Sequence, residues 1–97
     1  MSIYRKVVVQ SYLARGEKSS STIRARPVDG QGLDVDMHVE CSSNMRNGHP
    51  VGTFFLITAQ VTDRQSGPPF LYTSFRWVYD VLSPAAAQKF IREGGWH

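Results

Sequence analysis

The chain has 97 residues, 41% of them hydrophobic, and 11 Lys and Arg against 8 Asp and Glu give a net charge of +3. That is the length of one domain, spanning 1–97, with room for one core but not for a core plus a separate buried substrate chamber. The single cysteine excludes an internal disulfide and any cysteine-rich metal site, no run approaches the roughly 18 apolar residues of a membrane helix, and the basic residues are spread from Arg5 to Arg92 rather than clustered as in committed nucleic-acid binders.

Residues 2–13 read as a first strand. Val7, Val8 and Val9 are β-branched and suit a pleated surface. Ile3, Val7, Val9 and Leu13 share one face, Tyr4, Val8 and Tyr12 the other, and the pattern does not say which is buried. Arg5 and Lys6 before three valines imitate the start of a secretory signal, but Gln10 ends the run well short of an h-region. A reducing cytoplasm, with no membrane attachment, is the expected location.

Residues 15–20 read as a loop, and 21–28 as a second strand ending near Pro27, which cannot donate to a ladder. Asp29-Gly30-Gln31-Gly32 has the glycines of a hairpin turn. Leu33 to Cys41 then alternates without a break, which predicts a third strand. Leu33, Val35, Met37, Val39 and Cys41 take its apolar face, with Cys41 as a small buried hydrophobe. Asp34, Asp36, His38 and Glu40 take its polar face. A hairpin of strands two and three sets Arg26 opposite Asp34 and Arg24 opposite Asp36, since a one-residue slip puts the arginines on the apolar side.

Ser42 to Pro50 reads as a polar loop with an Asn47-Gly48 turn. Val51–Thr62 and Phe70–Val81 read as strands four and five, and 63–69 cannot extend either. Pairing Val61 with Leu71 sets Ala59 by Thr73, Ile57 by Phe75 and Phe55 by Trp77, the aromatic and β-branched neighbours that stabilise sheets. Ser83 as N-cap, Pro84 at N1 and Gly94 after the end define a helix at about 83–93, with Ala87, Phe90 and Ile91 on its docking stripe.

The expected fold is therefore α+β. It is a curved, mainly antiparallel five-stranded sheet in order of sequence, partly closed toward a barrel, with one C-terminal helix. Strands four and five are apolar on both faces, and one short helix covers only one. The sheet must curl over the other, or a second subunit must cover it.

Three functions compete. The first is a non-catalytic binding or interaction module, homo-oligomeric through strands four and five, with Phe54, Phe70, Tyr72, Arg76 and Val78 as its contact surface. Its protein or small-molecule partner is not identifiable from the residues. The second is a nucleic-acid-binding domain, in which Arg5, Lys6, Arg24, Arg26, Arg64 and Arg76 flank Tyr4, Phe70 and Tyr72 as stacking platforms. The third is a small enzyme or metal protein on the polar face of strand three. Its Asp34, Asp36, His38 and Glu40 lie roughly 6.5–7 Å apart, with His49 from the next loop in reach. The bland reading of that face is a solvated surface paired with Arg24 and Arg26. No phosphate-binding loop, nucleophile elbow or paired metal-ligand motif occurs, so no catalytic residue, metal or cofactor is expected.

Overall fold

A computed structural model describes residues 4–13, 23–41, 43–62, 67–74 and 78–95. Its centre is β1 (Arg5–Leu13), in which Val7, Val8 and Val9 are all fully buried. Successive strand residues face opposite ways, so this sheet is covered on both sides. β1 pairs antiparallel with β4 (Phe54–Thr62), from Arg5 opposite Ala59 to Gln10 opposite Phe54. On its other edge it pairs antiparallel with β2 (Ile23–Pro27), from Val9 opposite Pro27 to Leu13 opposite Ile23.

The two covers come from different parts of the chain. Val7, Val9, Ala25, Phe55, Ile57 and Ala59 form one cluster with Val39 and Met45, and Leu33, Met37 and Cys41 pack against it. That face is covered by the segment 33–45, which ends in α1 (Ser43–Asn47), a short helix inside the expected polar loop. Val8 and Ala87 are fully buried yet lie outside this cluster. They belong to the opposite face, where α2 (Pro84–Arg92) packs on β1, β4 and β6 (Asp80–Leu82). α2 thus covers the second face at Val8, while Val61, Val78 and Val81 stay exposed. Each buried β1 valine is worth about 1.5–3 kcal/mol over leaving it in water.

α2 starts and stops where its sequence signals lie. Ser83 Oγ accepts from Ala86 N–H at 3.1 Å, and Pro84 takes the first turn, where its missing N–H costs nothing. Gly94, at φ +71°, follows the end and donates to Ile91 O. Gly30 is required for packing as well as for its φ of +100°, because a Cβ there would sit 3.0 Å from Ile91 Cγ2.

The strand order is β2-β1-β4-β5-β3, with β6 also on β4, and not the order of sequence. Val61 does pair with Leu71, but the expected fifth strand is divided into β5 (Phe70–Tyr72) and β6. Between Phe55 opposite Val81 and Val61 opposite Leu71, β4 advances six residues and its partner ten. The four extra residues leave the ladder after Tyr72, where the Thr73 hydroxyl donates to Thr58 O at 2.7 Å in place of a backbone rung. The positions of Phe75, Arg76 and Trp77, of Arg64 and of the loop 15–20 lie outside the described residues.

The largest correction concerns strand three. Only β3 (Val39–Glu40) is strand, and it runs parallel to β5. Val35, expected on the apolar face, is 37% exposed, because a turn carries it outward. β2 pairs with β1, so Arg24 faces Tyr12 and Arg26 faces Gln10 rather than Asp36 and Asp34. Beyond the end of that pairing the fully buried Gln31 amide bridges the two chains: Oε1 accepts from Val8 N–H at 2.7 Å, and Nε2 donates to Val8 O and Val28 O at 2.8 Å, beside the backbone bond from Val28 N–H to Val8 O. The backbone then leaves β2, crosses the core face and comes back to the sheet at the far edge, beside β5. Arg46 Nη1 then donates to Ile23 O at 3.1 Å, tying α1 to β2 and bringing the curved sheet near closure. No helix among the described residues is long and apolar enough to cross a membrane.

Candidate functional site

A groove of about 520 Å³ lies between the segment 34–40 and Gly67–Phe70. Met37, Pro68, Pro69 and Phe70 give it an apolar lining, and Asp34, Asp36, His38 and Glu40 a polar one. The four polar residues singled out as one strand face are therefore brought together, although only Val39 and Glu40 of the stretch that suggested a strand are in one.

A tight turn presents the polar lining. Asp34 Oδ1 accepts from Asp36 N–H at 2.9 Å, and Asp34 O accepts from Met37 N–H at 3.0 Å. This is the local side-chain bond that makes Asp a turn former. It leaves Asp34 and Asp36 exposed while Met37 packs against the core cluster. β3 then fastens the wall to β5, as His38 O accepts from Leu71 N–H at 2.8 Å and Glu40 O from Thr73 N–H at 3.0 Å. The opposite wall is Pro68-Pro69, exposed and conformationally fixed, leading into Phe70, which is only 9% exposed.

The His38 ring faces Phe70 at 6.5 Å and a 52° tilt. No three His, Cys, Asp or Glu side chains among the described residues are placed to share a metal ion. What the groove has is three carboxylates and His38 beside apolar side chains, with no Lys or Arg among its described lining.

His49 does not join His38. Its ring packs edge-on against Phe55 at 5.3 Å and Tyr79 at 6.0 Å, and its Nε2 is 3.2 Å from the Tyr79 hydroxyl. Of the residues expected as a contact surface, Phe54 and Tyr72 are half-buried, Phe70 is buried, Val78 is 83% exposed and Arg76 lies outside the described residues. Cys41 is half-buried, and burial pushes its thiol up, with the Arg46 charge pulling part of the way back. That is the setting of an inert thiol. Arg24 and Arg26 share the β2 face opposite Tyr12 and Gln10, and the Arg26 guanidinium lies 4.8 Å above the Tyr12 ring.

Sequence reasoning missed part of the groove's lining: Pro68 and Pro69 were placed only in a stretch that cannot extend a strand, and Met37 only on an apolar face. The one available signal was the pair of prolines immediately before Phe70, a rigid edge beside an aromatic. No protein-family model matches the chain, and no curated protein and no solved structure is significantly similar to it.

Proposed function

We propose that the protein is a non-catalytic binding module whose ligand occupies the groove between 34–40 and Gly67–Phe70. One observation carries this reading: an apolar lining of Met37, Pro68, Pro69 and Phe70 coincides with a polar lining of Asp34, Asp36, His38 and Glu40. Binding sites are concave and largely apolar, with few polar groups that fix orientation, and about 300–1,000 Å³ is their usual size. Self-association through β4 and β5 has less support. Val78 is open to solvent, but Phe70 is buried and Phe54 half-buried.

A second reading has its own observation. Arg24, Arg26 and Tyr12 form a basic and aromatic ledge on the sheet face away from the core cluster, with Arg26 stacked on Tyr12. Single-stranded nucleic acid binds such ledges. Amide chemical-shift mapping separates the two. A mixed library of small molecules and short peptides is expected to move resonances of 34–40 and 67–70. Shifts confined to Tyr12, Arg24 and Arg26 on adding an oligothymidylate, with the groove silent to the library, would replace the first reading by the second.

A further inference from the structure

Resting on that reading, we infer that the groove's ligand is a basic peptide segment, in which a Lys or Arg stands next to an apolar residue. The chain as a whole carries +3, so a uniformly charged surface would repel such a segment. The described lining of the groove carries the opposite charge. Asp34, Asp36 and Glu40 line it, with no Lys or Arg among its described lining. Phosphate backbones and anionic lipid surfaces are disfavoured there by the same carboxylates, and a bare metal ion finds no three donors to share it among the described residues.

The apolar lining selects among the remaining cations. Arg and Lys lay their methylene stems along apolar surface while the charged head stays in water. Pro68 and Pro69 are exposed and rigid, a shelf that such a stem can cover without ordering cost on the protein side. Met37 adds an adaptable surface. The carboxylates of Asp34 and Asp36 are held at the groove by the turn that Asp34 itself closes, so the head group meets charge that is already positioned. A polyamine offers the apolar lining only its methylene stems, where a peptide adds an apolar side chain beside them. A neutral apolar ligand would satisfy the apolar lining but leave the carboxylates unused. The occupant that uses both is a short segment with alternating basic and apolar side chains.

The test uses the full chain and three probes: a fluorescein-labelled peptide alternating Leu and Arg, its Glu-for-Arg counterpart, and spermine. The Leu-Arg peptide is expected to bind with amide shifts at 34–40 and 67–70, and the Glu peptide is not. The double variant D34N/D36N should weaken binding about tenfold, because each exposed charge contributes a factor of about two to five. The amide oxygen that replaces the Asp34 carboxylate in this variant can still accept from the backbone N–H of residue 36, so the turn survives. Pro69→Ser should weaken the peptide but not spermine. Raising NaCl to about 0.5 M should weaken it as well. Equal binding of the Arg and Glu peptides, no loss in D34N/D36N, or spermine binding as tightly as the peptide would overturn the basic-peptide assignment. If library compounds still shift the groove in those cases, the binding-module reading stands. If the peptide instead shifts Tyr12 and Arg24, or acts only by changing the oligomeric state, the basic-peptide assignment falls, and the binding-module reading falls with it where the groove is also silent to the library.

Discussion

The segments Val7–Val9 and Leu33–Cys41 both read as strands, and they end in opposite situations. The first is buried on both faces and paired along its whole length with β4, and on its other edge it meets β2 at Val9 and the Gln31 amide at Val8. The second meets a sheet only at Val39 and Glu40, after crossing the core through turns. Apart from Val35, its apolar residues still pack inward, and its aspartates still face water. The burial pattern is largely shared while the backbone is not. Alternation reports which side chains are wanted inside. It does not report where the backbone finds its hydrogen bonds.

The largest effect is expected at the core that both segments share. Phe55 is fully buried on β4, opposite Val9 of β1 and edge-on to the Tyr79 and His49 rings. Phe55→Ala should cost about 3–5 kcal/mol, the usual loss for a deeply buried aromatic, measured by urea unfolding. A cost under about 1 kcal/mol would mean that the 33–45 segment and the sheet do not share this core.

Gln31→Leu acts at the point where the two segments part ways. It keeps much of the volume and removes the bonds to Val8 and Val28. Leaving the buried Val8 N–H without its acceptor should cost about 1–3 kcal/mol. Amide exchange at Val8 should accelerate more than at Val7. Unchanged stability and unchanged Val8 exchange would show that the amide is not a rung of the ladder.

Asp36→Asn should do almost nothing to folding, within about 0.5 kcal/mol, because an exposed turn carboxylate has little structural work. Its effect belongs to binding alone. Destabilisation by several kcal/mol in thermal unfolding would place Asp36 in a buried pair, against the exposed turn that separates this segment from Val7–Val9.

Much of the fold was readable where local chemistry and tertiary contacts agree. Ser83, Pro84 and Gly94 place α2 because capping is local. Val61 opposite Leu71 was readable because both strands carry the matching apolar pattern. α1 was not, since five residues cannot show a helical period. The break between β5 and β6 was not, since the apolar pattern of Phe70–Val81 runs on across it. The site itself was half legible. Asp34, Asp36, His38 and Glu40 were grouped by spacing along a strand, and a turn groups them instead. Their partner wall, Gly67–Phe70, is about thirty residues away in sequence and joins them only through the parallel pairing of β3 with β5.

A nuclear Overhauser spectrum of labelled protein, read for strand neighbours, decides between the two paths open to the chain after Gln31. The groove exists only if β2 pairs with β1 and the chain crosses to β5. The expected cross-strand contacts are Ser11 with Ala25, Tyr12 with Arg24 and Val39 with Leu71. Contacts of Arg26 with Asp34 and Arg24 with Asp36, with none between Val39 and Leu71, would restore the hairpin and remove the groove.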